Sequence, residues 1–287
     1  MAPPVIDFHV HVLPCDRLYP FVQKWMQIFV DEPLEPYLER VCTPEGTIAM
    51  MDEAGVDYGV VLAELSPITA GMLISSEETV EFCSVSPRLI PFANINPYLT
   101  TNPARYLERC VTELGVKGVK ILPTYHHFYP NERSLYPLYD AAQKLGIPAM
   151  FHTGSSVFKS SRTKFGDPLY YEDLAIDFPE LVLVLSHSGR GFWTDTAAHL
   201  ARVYDNVYLE IAGLPPPNLL KYFPDLEKLA DKVIFGSDWP SQPFMARNVK
   251  GIKGLPISEE AKAKILGGTA ARLLGLPIDC QARQFAS

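Results

Sequence analysis

The amino-acid sequence predicts one α/β domain, a (β/α)8 (TIM) barrel with an insertion after its first strand. Three observations carry that prediction. Eight short apolar runs, rich in β-branched residues, recur along the 287-residue chain, each nearly continuously apolar, as expected for parallel strands covered on both faces. Stretches of helical period lie between them. Most intervals from one run to the next are roughly 25 to 35 residues, the size of a single strand–helix unit. A prior of about 150 residues per domain would suggest two domains, but a barrel needs roughly 250 residues for one core. No low-complexity linker divides the sequence, so a single domain over 1–287 is expected.

The strand candidates are 5–11, 58–63, 89–95, 116–122, 147–153, 181–187, 207–212 and 233–238. Helices are expected at 47–54, 77–84, 103–114, 135–145, 169–178, 194–204 and 218–230. A last one, 258–274, opens on Ser258 ahead of Glu259 and Glu260, an N-cap followed by an acidic first turn. The first strand-to-strand interval is longer because 13–45 is inserted there. This insertion carries Tyr19, Phe21, Trp25, Phe29 and Tyr37. It is expected either as a lid or pocket wall, or as a cover for the barrel or a subunit contact.

Bulk properties narrow the function classes. A hydrophobic fraction of 47% can build the core, and the longest apolar runs are strand-length, far short of the roughly 20 residues that cross a bilayer. The beginning of the chain lacks a basic region followed by an apolar one, so a cytoplasmic enzyme without a membrane partner is expected. Net charge is −8 and no Lys/Arg block exists, which argues against nucleic acid as a partner. The five cysteines (Cys15, Cys42, Cys83, Cys110, Cys280) are scattered and lack C-x-x-C spacing, the pattern of free thiols in a reducing compartment.

A barrel gathers its chemistry at the C-terminal ends of its strands. There the sequence places His9 and His11 on the first strand, His152 on the fifth, His187 on the sixth and Asp238 on the eighth. Residues two apart on a strand point to one face, so His9 and His11 can converge on one ion. A third histidine and a carboxylate from other strands would complete a mixed nitrogen/oxygen site suited to one divalent metal ion, Zn²⁺ first, with Mn²⁺, Fe²⁺ or Co²⁺ possible. Any one of these histidines alone would fit a core position hydrogen-bonded to backbone; five candidates at one mouth do not. Asp7 is placed either as a buried partner of the site or as a structural hydrogen-bonding group. Around this mouth, Lys120, Tyr125, His126, Arg190 and Trp239 are candidate substrate-binding residues. Cations beside a metal suit a carboxylated substrate and aromatics suit a ring. His126 and His127 are adjacent, so at most one can face the metal. Lys159, Arg162 and Lys164 follow strand five as further cations that would suit a carboxylated substrate, with solvation the alternative reading for Lys159 and Lys164. Glu64, Asn94 and Glu210, near the ends of strands two, three and seven, are candidates to back the ligands.

The segments Asp7-Phe8-His9-Val10-His11, Phe151-His152-Thr153-Gly154, Ser186-His187-Ser188-Gly189 and Phe235-Gly236-Ser237-Asp238-Trp239-Pro240, with 265–274, resemble the amidohydrolase superfamily. The branch they resemble contains aminocarboxymuconate-semialdehyde decarboxylase. The resemblance implies a metal held by His9, His11, His152 and Asp238. Asp238 would also handle the proton of the metal-bound water, and His187 would act as a second acid/base or polarising group. Some relatives carry a carboxylated lysine bridging two metals; Lys120 lies short of that strand end, so one metal is expected. Zinc would bring the pKa of bound water toward about 7, and hydrolysis of an ester, lactone or amide bond in a small carboxylated or aromatic substrate is the first expectation. Non-oxidative decarboxylation of an aromatic or muconate-type acid is the alternative, and a non-catalytic binding barrel ranks last. Compactness favours hydrolysis, because decarboxylases of this branch are expected to be longer. A homodimer is compatible with the sequence.

Overall fold

A computed structural model describes residues 3–277. Ten strands form in chain order: β1 (Ile6–His11), β2 (Tyr58–Leu62), β3 (Glu64–Ser66), β4 (Met72–Ile74), β5 (Leu89–Asn94), β6 (Val119–Ile121), β7 (Ala149–His152), β8 (Leu183–Ser186), β9 (Val207–Glu210) and β10 (Val233–Ile234). Eight of them make one parallel sheet in the order β1-β2-β5-β6-β7-β8-β9-β10. Closure runs through the segment after β10: Phe8 N–H donates to Phe235 O at 3.0 Å, Asp238 N–H to His9 O at 3.0 Å, and His11 N–H to Trp239 O at 2.8 Å. Asp7 adds a side-chain tie across the same seam, its Oδ1 accepting from the Ser237 N–H at 2.9 Å. The (β/α)8 barrel expected from the sequence is the fold. Among the described residues, no helix is long and apolar enough to cross a membrane.

Side-chain alternation divides the interior into two layers. Phe8, Val60, Leu62, Ile90, Phe92, Met150, Val184, Tyr208 and Ile234 belong to one apolar cluster within the barrel. One alternation further along the strands come Glu64, Asn94, His152, Ser186 and Glu210, all buried; positions two apart share a face. Strand β1 departs from this rule. Its pairing with β2 is irregular between Asp7 and Val10, so His9 follows Phe8 on the inner face while Val10 joins the outer core. A bulge of this kind re-aims side chains beside a site.

Two expected elements differ, and two others were not expected. The helix over 218–230 is two short ones, Leu219–Tyr222 and Leu226–Leu229, because Pro224 cannot donate and forces Phe223 to an extended ψ of 83°. The last helix passes through a π-turn at Lys264–Gly268. Gly267 lies there against the carbonyl of Pro4, where any Cβ would overlap it, which locks the helix onto the start of β1. The antiparallel hairpin β3–β4 and the helix Met245–Lys253 were not expected. The insertion is helical, with Pro20–Met26 and Leu34–Val41 as its α-helices.

Candidate metal centre and cavity

The cavity over the strand C-termini is lined by His9, His11, His152, His187 and Asp238, together with Glu64, Lys120, Tyr125 and Arg190. All five chemistry-bearing residues expected at the mouth are there. His9 Nε2 and His11 Nε2 stand 3.1 Å apart, and Asp238 Oδ1 lies 3.6 and 3.5 Å from them. A tetrahedral ion with bonds of about 2.0–2.1 Å spaces its donors about 3.3 Å apart, so these three atoms have the spacing of ligands to one centre. Both imidazoles have a carboxylate behind them. His9 Nδ1 contacts Glu210 Oε2 at 3.1 Å, and His11 Nδ1 lies 3.2 Å from Glu64 Oε2. The Glu210 carboxylate keeps the His9 proton on Nδ1 and its lone pair on Nε2, while Glu64 lies beside His11 Nδ1 without forming a hydrogen bond to it. The donor set therefore fits a divalent metal. His152 is not in the tight group of His9, His11 and Asp238. It faces the same cavity, however, and its Nε2 is buried without a hydrogen-bond partner among the described residues.

Electrostatics agree with neutral nitrogen donors. Burial holds the His9 imidazole well below its ordinary range, with Lys120 pushing the same way. Burial followed by Lys120 and Arg190 does so for His152, and burial followed by Arg190 for His187. Burial works against the Asp238 carboxylate, but His9, His11 and Arg190 outweigh it and keep it far below the usual carboxylate range. Burial pushes Asp7 up to about 7, partly offset by hydrogen bonds from Ser237 and His9. His187 Nδ1–H donates to Ala212 O at 2.9 Å, leaving Nε2 as its free nitrogen. His187 and Asp238 both sit at positive φ, 63° and 64°, a region that costs a non-glycine residue and that folds tolerate chiefly at functional sites.

Glu210 is the hub beneath these ligands. Besides His9 it accepts Ser186 Oγ–H at 3.0 Å, His187 N–H at 3.1 Å and Ala212 N–H at 2.7 Å. Gly236 makes room for it, since a Cβ there would overlap Glu210 Oε1. Lys120 donates to Ser186 Oγ at 2.7 Å; burial pushes its ammonium down and the neighbouring carboxylates push it back up. Tyr125 lines the wall, its ring 4.8 Å from that of His152.

Two substrate-binding expectations are corrected. His126 does not line the cavity: its Nε2 bonds Leu65 O at 2.7 Å, because consecutive residues on the short helix Pro123–His126 diverge and Tyr125 takes the inward place. Trp239 is fully buried in the outer core, facing away as the neighbour of the inward Asp238. Sequence reasoning missed Ser241 and Gln242 on the cavity wall and the Lys120–Ser186 link. The alternation of Ser186 with Val184 would have found the last. Cys15 does not line this cavity, and burial pushes its thiol upward; Cys280 lies outside the described residues. The insertion forms a wall: Leu13, Leu18, Val22, Trp25 and Met26 close one side, and Trp25 meets Phe158 edge-on at 5.8 Å.

An eight-stranded barrel with an H-x-H pair, further histidines and an aspartate at its mouth defines a TIM-barrel protein with a candidate metal centre of the amidohydrolase kind. The amidohydrolase family model matches residues 6–276, and the chain belongs to that family. Over 335 aligned positions it is 21% identical to 2-amino-3-carboxymuconate-6-semialdehyde decarboxylase of Dictyostelium discoideum, covering 94% of this chain and 91% of the relative. Among solved structures, an uncharacterised TIM-barrel protein of Bordetella bronchiseptica superposes with a TM-score of 0.79 at 24% identity, covering 95% of this chain and 98% of that one. A 5-carboxyvanillate decarboxylase of Sphingomonas paucimobilis does so with a TM-score of 0.67 at 21% identity, covering 96% and 100%.

Proposed function

We propose that this enzyme is a metal-dependent, non-oxidative decarboxylase of a small aromatic or muconate-type acid. The observation that carries the proposal is the apolar wall beside the donor cluster, where Leu18, Val22, Trp25, Met26 and Phe158 face His9, His11 and Asp238 across one cavity. Loss of carbon dioxide disperses a carboxylate charge, so a water-poor surround favours its transition state over its ground state. Hydrolysis has the opposite need, a water delivered to a polar centre. Two of the similar proteins are named as decarboxylases. The alignment with the decarboxylase relative runs over 335 positions, so that protein carries insertions this 287-residue chain lacks, but loop insertions leave the barrel mouth in place.

His9, His11 and Asp238, with His152 beside them, would hold one divalent ion, most simply Zn²⁺. Bound there, it would anchor the substrate's oxygens and act as a Lewis acid. The remaining chemistry belongs to the chain. The carbon–carboxyl bond breaks, its electron pair stays on the substrate carbon, and one proton must replace carbon dioxide. His187 is placed to relay that proton: its Nδ1–H is committed to Ala212 O, so Nε2 takes a proton from solvent water and passes it to the substrate carbon. Burial makes the protonated imidazole a strong acid, which suits delivery to carbon. Trp25 and Phe158 pack on the ring or unsaturated body.

The test measures carbon dioxide release from 5-carboxyvanillate and 2-amino-3-carboxymuconate-6-semialdehyde beside a panel of ester, lactone and amide hydrolyses. Metal content is read in parallel for the native protein and His9→Ala. About one divalent ion per chain, lost together with carbon dioxide release in the variant, is the expected result. Hydrolysis of panel compounds without carbon dioxide release would overturn the proposal in favour of a hydrolase.

A further inference from the structure

We infer that Arg190 determines specificity by recognising a second carboxylate, one that the substrate keeps through the reaction. The inference takes the departing group from the decarboxylase proposal and the rest from geometry. Arg190 is half-buried on the cavity wall, one residue beyond the turn His187–Gly189. Its backbone is fixed on both sides: the N–H donates to His187 O at 2.9 Å, and the carbonyl accepts Ser155 N–H at 2.8 Å. Two glycines make this placement possible. Gly154, at φ 80°, lies flat against the Arg190 backbone, and Gly213, at φ 71°, leaves the space that Nη1 occupies; a Cβ at either would overlap the arginine. The guanidinium Nη2 then donates to Ser155 O at 3.1 Å.

What distinguishes this arginine is that it stands on the cavity wall without a bonded carboxylate. Arg17, Arg40, Arg88, Arg109 and Arg202 each pair with a carboxylate. Among the described residues, no carboxylate lies within 4.0 Å of Arg190, and the Ser155 carbonyl is its one side-chain acceptor. Lys120, buried in the same cavity, is different: it donates to Ser186 and has the carboxylates of Glu210, Asp238 and Glu64 near it. An arginine held in a fixed place with no carboxylate bonded to it can take one from a ligand, and a planar guanidinium matches a carboxylate through paired hydrogen bonds. That carboxylate is not the departing one. Gripping the departing group would stabilise the charge that the transition state disperses, and so slow the reaction. The substrate class is therefore a small diacid on an unsaturated or aromatic body. One carboxyl reacts beside His9, His11 and Asp238, the other rests on Arg190, and the body lies against Trp25 and Phe158.

The test titrates metal-loaded protein with benzoate and with isophthalate (benzene-1,3-dicarboxylate) by calorimetry. Native protein, Arg190→Met, Arg190→Lys and Gly213→Ala are compared, with metal content and thermal melting read for each. Native protein is expected to bind isophthalate at least about tenfold more tightly than benzoate, the scale of one charge-assisted pair. Arg190→Met should erase that preference with metal content and benzoate affinity unchanged. Arg190→Lys should recover part of it. Gly213→Ala should erase it without removing the charge, by displacing the guanidinium. A diacid preference that survives Arg190→Met, or native protein that binds both acids equally or neither, overturns the inference. An Arg190-dependent preference in a protein that releases no carbon dioxide from any acid leaves the anion site standing and removes the decarboxylase proposal instead.

Discussion

The lower and upper halves of the barrel interior are built from the same strands, two residues apart, yet they obey different rules. Below, Phe92, Met150, Val184 and Ile234 fill the barrel by volume and shape, with Phe8 and Phe92 edge-to-face at 5.3 Å. Above, Asn94, His152, Ser186 and Glu210 are just as buried, but each needs a particular partner at a particular angle. The lower layer gains from burial whatever its details, since apolar area is non-directional. The upper layer gains only where donors meet acceptors, and an unmet buried group costs about 1–3 kcal/mol. Stability should therefore depend on the lower layer and chemistry on the upper.

The sharpest way to break this division is Phe92→Ala. Phe92 is fully buried, and Gly118 lies against its ring so closely that any Cβ would overlap it. Truncation should cost about 3–5 kcal/mol in urea unfolding, while metal stoichiometry per folded chain stays as in the native protein. Loss of metal from folded Phe92→Ala would show that the two layers are not separable.

Glu210→Gln tests the upper layer with almost no change in volume. The Glu210 carboxylate receives Ala212 N–H on Oε1 and His187 N–H, Ser186 and His9 on Oε2. An amide must turn its NH2 toward one of these donor sets. If it keeps the Ala212 bond, His9 Nδ1 has to become an acceptor, which moves its proton to Nε2 and spoils that nitrogen as a ligand. Metal affinity by chelator competition should fall about 10- to 100-fold. Unchanged affinity would mean that Glu210 does not set the His9 tautomer.

The two layers were also unequally visible in the sequence. All eight barrel strands announce themselves, because parallel strands covered on both faces are apolar runs whatever their neighbours. The H-x-H pair and the histidines and aspartate at later strand ends were legible for the same reason: each is a polar residue closing an apolar run. Glu64, Asn94 and Glu210 stood out as polar groups at strand ends, but their partners did not. Which carboxylate backs which histidine depends on barrel closure and on the β1 bulge, and neither leaves a local signature. The roles of Gly154 and Gly213 are invisible without the arginine that fills the space beside them. His126 and Trp239 were placed on the wrong side because proximity in sequence to Tyr125 and Asp238 says nothing of orientation.

His126 also supplies the mildest test of the comparison, since it is a buried histidine outside the upper layer. Burial holds its imidazole down at about 4, with the Leu65 carbonyl opposing and His127 assisting. Its ordinary value is 6.5, so between pH 6.5 and about 4 the unfolded chain binds more protons than the folded one. Stability from this residue is complete above pH 6.5 and is lost as pH falls through that window. At pH 5.5 the loss should be about 1 kcal/mol relative to pH 7.5. His9, His152 and His187 are shifted the same way by burial, whereas Asp7 and Glu210, pushed up to about 7 by burial, gain stability over the same fall in pH, so the His126 contribution is read as a difference between variants. In His126→Gln, whose amide can still donate to Leu65 O, the pH 5.5 to 7.5 difference in urea stability should shrink by about 1 kcal/mol. An unchanged difference would show that His126 contributes nothing to the acid response and place it in the other buried titrating groups.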